Sequence, residues 1–244
     1  MQRRELVRTG LFGAAAAAAG AAHAAQDAAP AKKRLSENWD VVVVGAGFAG
    51  MCAALEAAER GAKTVLLEKM NRPDGATVYS SGWIAAVGSR FQKNHPEDSP
   101  KAFFEDMMRL SHQRSDPELI KVYAEESGAG IDWLADHGTP FYLWEGLPAP
   151  ELSRCLISPG EGITGGSKLI RCLMAALEKK GVAIHYNTKA VSLVKDECFN
   201  VEGVSCITPE GRKDYLARGG VILTTGGYGA NEAMVDKYIG PWAS

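Results

Sequence analysis

The chain has 244 residues, enough for one substantial domain with a core of its own, or one domain and part of another. A formal net charge of −2 gives no sign of a nucleic-acid partner, and an apolar fraction of 46% is ordinary for a globular protein. The cysteines, Cys52, Cys155, Cys172, Cys198 and Cys206, are odd in number and form no C-x-x-C pair, so neither zinc nor covalent haem is indicated.

Residues 1–25 read as a secretory signal: Arg3, Arg4 and Arg8, then an Ala-rich uncharged run from Thr9 to Ala22, then small residues flanking a cleavage site at Ala22-His23-Ala24. The run is shorter than the roughly 20 residues a membrane span needs. The Arg3-Arg4 pair points to the twin-arginine route and a periplasmic location. Glu5-Leu6 fits that consensus imperfectly, and an ordinary Sec signal is the alternative. Residues 26–38, with Lys32-Lys33-Arg34, read as a solvated linker, and 39–244 as the folded domain.

Asp40–Val44 is a β-branched run of the kind buried on both faces of a sheet. Gly45–Gly50 follows, then a helix over 51–60 closed by Gly61, then a strand over 63–68, which together make a β-α-β unit. Residues 71–98 read as loop. Ser99-Pro100 starts a helix to about Ser111, and Asp116-Pro117 starts another towards His137, with Gly128-Ala129-Gly130 weakening its middle. Residues 145–166 read as a second loop, and 167–180 as an amphipathic helix closed by Gly181. Short strands are expected near 183–186, 189–195, 201–207 and 212–218, and a last buried strand over Val221–Thr225. The fold class is α/β.

Three features carry chemistry. In Gly45-Ala46-Gly47-Phe48-Ala49-Gly50, the first glycine permits a tight turn. The second lets backbone approach a pyrophosphate, and the third lets the helix pack on the strand. The motif follows a strand and opens a helix, as it requires. Glu68 lies 23 residues after Gly45, at the end of the next strand, where a carboxylate accepts both ribose hydroxyls of a bound adenosine. The third feature is Val221–Thr225 running into Gly226-Gly227, which brings backbone to a cofactor without side-chain obstruction. A nicotinamide dehydrogenase needs no such late strand; two-motif flavoproteins do.

On these residues the chain resembles the fumarate reductase/succinate dehydrogenase flavoprotein family, and looks closest to its soluble, exported branch. The similar stretches are DVVVVGAGFAGMCAALEAAERGAKTVLLEK, SPKAFFEDMM, SDPELIKVYAEESGAGIDWL, TGGSKLIRCLMAALEKKGVAIHYNT and VILTTGGYGANEAMV. The resemblance implies FAD, with Gly45, Gly47, Ala49 and Gly50 at the pyrophosphate and Glu68 and Lys69 at the ribose. It implies Ala76, Thr77, Ser81 and Gly82 near the flavin, Ala190 and Val191 at the adenine, and Thr225 and Gly226 at the late turn. Asp74 and Trp83 stand where the family usually has Gly, and Trp83 is expected to stand close to the flavin ring and reshape the substrate space. Residues 189–219 correspond to the family's small antiparallel insertion. Members that attach FAD covalently use a His in the loop after the acid; no His lies between His23 and His95, so non-covalent FAD is expected.

The resemblance also implies a reaction: hydride transfer from flavin to an activated C=C bond of an unsaturated carboxylate such as fumarate or urocanate. Electrons would come from an external donor such as a c-type cytochrome. The family's proton-donating Arg and substrate-gripping residues lie after the Thr-Gly-Gly strand, in a capping domain. The chain ends at Ser244, so it reads as the incomplete, FAD-binding portion, with no catalytic residue of its own. A ketosteroid dehydrogenase-like enzyme, a nicotinamide dehydrogenase and a non-catalytic electron-transfer module are the alternatives. His95, His112, His137 and His185 are scattered without metal spacing. Gly160–Ser167 is either an anion cradle or a flexible cap.

Overall fold

The computed structural model describes residues 35–93, 95, 97–145, 154–160 and 164–240. Residues 1–25, read as a signal, and residues 26–34, read as linker, lie outside them. Strand β1 (Leu35–Val44) begins earlier than expected, so residues 35–38 of the presumed linker belong to the sheet. Their side chains explain why: Glu37 pairs with Lys213 and accepts from Trp39 Nε1 (3.2 Å), and Trp39 packs on the core.

The β-α-β unit forms as expected. Helix α1 (Phe48–Glu59) leads from the glycine turn, Gly61 reverses the chain at φ +85°, and β2 (Thr64–Leu67) returns parallel to β1 with Val41 opposite Thr64 and Val44 opposite Leu67. On β2 lies β6 (Ala183–His185), also parallel. The sheet continues through β7 (Lys189–Lys195), β8 (Val201–Thr208) and β9 (Gly211–Leu223), in the order β6-β2-β1-β9-β8-β7.

The two strands read at 212–218 and 221–225 are one. The lower half of β9 pairs antiparallel with β8 as far as Leu216 opposite Gly203. Its upper half rises beside β1 until the Thr224 N–H donates to the Val44 carbonyl (2.9 Å). Gly219 makes this possible, since a Cβ there would stand 2.8 Å from the Asp40 carbonyl. The upper half is not the buried strand expected: Ile222 is 38% and Leu223 57% exposed, because β8 ends opposite Leu216–Gly211 and, among the described residues, no strand lines the outer edge beyond.

Side-chain alternation along β1 and β2 builds two cores. Val43 and Leu66 face α1 and helix α5 (Gly165–Lys180), where Met51, Leu55, Leu173 and Leu177 are fully buried. Val42, Val44, Val65 and Leu67 face the other way, onto Val204, Cys206, Tyr215 and Ala217 of the antiparallel strands. Each such buried aliphatic side chain contributes about 1.5–3 kcal/mol, which fixes the register of the strands that carry the glycine turn.

The region read as loop over 71–98 is partly regular: helix α2 (Ala76–Tyr79), strand β3 (Trp83–Ala85) and a single 3₁₀ turn, Arg90–Gln92. Helices α3 (Pro100–Leu110) and α4 (Pro117–Asp136) follow, capped by Ser99 and Asp116 with Pro in the first turn of each. α4 runs unbroken through Gly128, whose missing side chain lets the Val87–Ser89 backbone approach; a Cβ would stand 2.3 Å from the Val87 carbonyl. Strands β4 (Tyr142–Leu143) and β5 (Cys155–Ile157) join β3 in a small antiparallel sheet that sequence periodicity, over so few residues, could not reveal. A last helix, α6 (Glu232–Tyr238), is capped by Asn231. No helix among the described residues is long and apolar enough to cross a membrane.

Candidate functional site

The carboxyl ends of β1, β2 and β9 meet at the glycine turn, the position where open α/β sheets take ligands. Its three glycines are there for different reasons. Gly45 has φ +108°, and a Cβ would stand 2.6 Å from the Thr224 carbonyl. At Gly50 a Cβ would meet the Gly45 carbonyl at 1.9 Å and Thr224 Oγ1 at 2.5 Å. Both positions are closed by the protein itself. Gly47 is open: its backbone, φ −82° and ψ −175°, suits any residue, and the nearest atom to an added Cβ is the Asp74 carbonyl at 3.9 Å. Gly47 caps α1, so the bare first-turn N–H groups of that helix, including exposed Ala49, border the same space.

Glu68 is 6% exposed and reaches back to this turn. Its Oε2 accepts the Ala46 N–H (2.8 Å) and its Oε1 the Met70 N–H (2.9 Å), which fixes the carboxylate beside the glycines and leaves each oxygen a further acceptor position. Lys69 beside it is exposed. The corner between β6 and β7 is bonded to the same residues: Glu68 N–H to His185 carbonyl (2.9 Å), Thr188 N–H to Glu68 carbonyl (2.8 Å), Asn187 N–H to Met70 carbonyl (2.9 Å). Burial, and after it the Glu68 carboxylate, hold the Tyr186 phenol above its ordinary range. Ala190 and Val191 follow on β7, where the register slips between Ala190 and Ser192, so Val191 is a bulge residue whose backbone stands outside the ladder.

On the other side of the turn the chain runs from Asp74 through α2 to Gly82. Ala76 and Ser81 are exposed and Thr77 is half-buried. This stretch is held by the start of α5: Thr164 Oγ1 and Ser167 Oγ donate to the Val78 carbonyl (2.7 and 2.9 Å), and the Gly166 N–H to the Ser80 carbonyl (3.1 Å). A Cβ on Gly166 would stand 1.8 Å from the Thr77 carbonyl, and one on Gly165 2.1 Å from the Ser81 carbonyl. Gly82, at φ +77°, would meet Gly165 at 2.4 Å. The described part of the Gly160–Ser167 stretch is therefore a close-packed helix start, and the reading as a flexible cap does not hold for it. Trp83, next in line, is 53% exposed and its ring lies 5.1 Å from that of Trp144.

Thr224 is the residue that sequence reasoning passed over. Its hydroxyl reaches both the Val44 and Gly45 carbonyls (2.8 and 3.0 Å), locking the late strand onto the glycine turn. A hydroxyl one residue before the Thr225-Gly226 turn was the available signal. Thr225 and Gly226 are exposed beyond it, Gly226 at φ +74°. The structure thus brings Gly45–Gly50, Glu68, the corner before Ala190 and the end of β9 around one space, with Asp74–Gly82 leading away from it. The cysteines are all free but only Cys206 is fully buried, Cys198 being exposed; burial pushes the Cys52 thiol up to about 12 and Cys206 to about 11, far from nucleophilic.

Residues 40–243 match the family described as FAD binding domain. The chain is 37% identical over 215 residues to urocanate reductase of Eggerthella lenta, covering 85% of this chain and 35% of that protein. It is 32% identical over 204 residues to a probable fumarate reductase of Shewanella frigidimarina, covering 83% and 34%. It is 31% identical over 218 residues to NADH:fumarate oxidoreductase of Klebsiella pneumoniae, covering 87% and 22%. Among solved structures it resembles the open form of a flavocytochrome c3 fumarate reductase (TM-score 0.74, 33% identity, 84% of this chain and 36% of that one). It also resembles a 3-ketosteroid-Δ4-(5α)-dehydrogenase of Rhodococcus jostii (TM-score 0.77, 29% identity, 86% and 50%). The chain spans between about a fifth and a third of these curated relatives. By its match over 40–243 and the glycine turn that the match contains, the chain belongs to the FAD binding domain family of flavin-dependent oxidoreductases.

Proposed function

We propose that this chain holds FAD non-covalently for a flavin-dependent reductase that acts on the activated C=C bond of a small unsaturated carboxylate. The carrying observation is Gly47. No protein atom fills the space beside it, so backbone there is open to a ligand, and the bare N–H groups of α1 beside it suit a pyrophosphate. Glu68 would take the adenosine ribose, its carboxylate held ready by Ala46 and Met70, with Lys69 at its side. Val191, with Ala190, would offer its unladdered backbone to the adenine edge. The other half of the molecule would run along Ala76, Thr77, Ser81 and Gly82, and Thr225-Gly226 would close the site at the end of β9.

FAD held there would supply the hydride-transfer chemistry. The chain's residues hold and orient it: Thr224 keeps the late strand on the turn, and the start of α5 fixes Thr77–Gly82. Trp83 would border the substrate space. The named activities of the urocanate and fumarate reductase relatives support this substrate class. An exported location reached through the Arg3-Arg4 signal, and an external donor such as a c-type cytochrome, belong to the same proposal and rest on the sequence. The ketosteroid dehydrogenase neighbour supports a second reading, in which the substrate is a larger, apolar 3-ketosteroid that is oxidised to the enone and gives its hydride to the flavin.

The purified chain is expected to be yellow and to release all its FAD into the supernatant on denaturation. A colourless chain that takes up no FAD overturns the proposal; flavin that stays with the precipitate overturns its non-covalent part. Reduction of fumarate or urocanate with a chemical electron donor, against oxidation of a 3-ketosteroid with a chemical electron acceptor, both assayed with the flavin-loaded protein, decides between the two substrate readings.

A further inference from the structure

Behind Glu68, away from the ligand space, lies a run of buried hydroxyls that the proposed function does not use. Thr188, 3% exposed, donates its hydroxyl hydrogen to the Tyr186 carbonyl (2.9 Å). Tyr215, itself 2% exposed, lies beside it. The Tyr215 hydroxyl is hydrogen-bonded to His185 Nδ1 at 3.0 Å. The far end is covered: Lys213 lies 5.3 Å over the Tyr215 ring and pairs with Glu37, which approaches His185 Nδ1 at 3.9 Å.

Three of these four residues belong to the corner whose backbone clamps Glu68 and leads into the Val191 bulge. Tyr215 belongs to β9, across the sheet. Its hydroxyl holds the corner's His185 from another strand. We propose that Tyr215 is a positioning residue for the adenosine end of the dinucleotide: through its bond to His185 it sets the corner that presents Glu68 and Val191. This rests on reading that end of the site as the adenosine end.

ADP, which carries the adenosine and pyrophosphate without the flavin, is the probe, titrated calorimetrically into the flavin-free full chain. Tyr215→Phe keeps the packing and removes the central hydroxyl; about tenfold weaker ADP binding is expected, the loss of one buried hydrogen bond. His185→Leu is expected to weaken ADP by the same factor, and His185→Gln, which keeps an N–H donor, to restore it. The double variant Tyr215→Phe/His185→Leu is expected to lose no more than either single one, because both break the same run. A merely structural contact would lower the ligand-free melting midpoint and leave ADP affinity within twofold; that result, or losses that add in the double variant, overturns the proposal. If Tyr215→Phe does not fold, by far-ultraviolet circular dichroism, the His185→Leu and His185→Gln pair carries the same comparison. A starting chain that binds neither ADP nor FAD overturns the function proposed above as well, which separates that failure from this one.

Discussion

Gly45, Gly47 and Gly50 lead into one helix, and Gly165 and Gly166, facing Gly82, begin another. In sequence the two clusters look alike: small residues before an amphipathic run. In the fold, every glycine of the second cluster is closed by backbone, with an added Cβ meeting Thr77, Ser81 or Gly165 at 1.8–2.4 Å. In the first, Gly45 and Gly50 are closed and Gly47 alone is open to 3.9 Å. A closed glycine reports chain packed on chain. An open one leaves room, which at the carboxyl ends of the strands and beside bare helix N–H groups suits a ligand, and of these two clusters only the first contains one.

Substitutions can break this contrast. The largest effect is expected at Gly50. In Gly50→Ala the new methyl group falls on the Gly45 carbonyl, so the turn must open; a loss of at least about 3 kcal/mol in urea-melt stability together with loss of FAD uptake is expected. Gly166→Ala is expected to cost about 3 kcal/mol, as α5 is pushed off Thr77, with FAD affinity falling through displacement of α2. Gly47→Ala is the sharpest test: ligand-free stability within about 0.5 kcal/mol of the starting chain, yet FAD affinity at least tenfold lower, about 1.4 kcal/mol. If stability and affinity fall together there, the distinction between open and closed glycines fails. Thr224→Val removes the hydroxyl bonds to Val44 and Gly45 and is expected to cost about 1 kcal/mol, read in the same melts.

The smallest expected effect lies at the far end of α1, where no ligand space is involved. His137 joins the Trp133 carbonyl (2.7 Å) and Glu59 (3.1 Å), so both ring nitrogens face acceptors. Burial pulls its pKa down, but the Trp133 carbonyl and Glu59 outweigh it and the value is raised; that of Glu59 is lowered, chiefly by His137. The raised histidine stabilises the fold fully below its unfolded value of about 6.5, and the contribution is lost as pH rises through the folded value. The lowered glutamate acts above its unfolded value of about 4.3 and is lost in acid. Stability should therefore fall by less than about 1 kcal/mol between pH 6 and pH 9, and the fall should vanish in His137→Gln. Its FAD affinity should not change.

Much of this was readable in advance. The apolar run at Asp40–Val44, the glycine spacing, Glu68 at the end of the second strand and the capped helices are local patterns. They report local physics: period, φ preference and a free helix terminus. What escaped was non-local. Residues 35–38 looked like linker because their partners, Lys213 on β9 and the core around Trp39, are distant in sequence. The β3–β5–β4 sheet escaped because strands of two or three residues have no readable period. Val221–Leu223 looked buried because it is apolar, but burial depends on what lies beside it, and its outer edge has no strand among the described residues.

The sequence by itself determined the β-α-β unit, the membership of the family and the kind of cofactor, because a turn that carries phosphates needs specific residues at fixed short spacings. Only the tertiary structure decided which glycines are packing and which is open. It also decided that Thr224 locks the late strand to the turn, and that Tyr215 reaches across the sheet to the corner behind Glu68. Those facts are distances between residues far apart in the chain, and they are set by how the strands align once both faces of the sheet have found their cores.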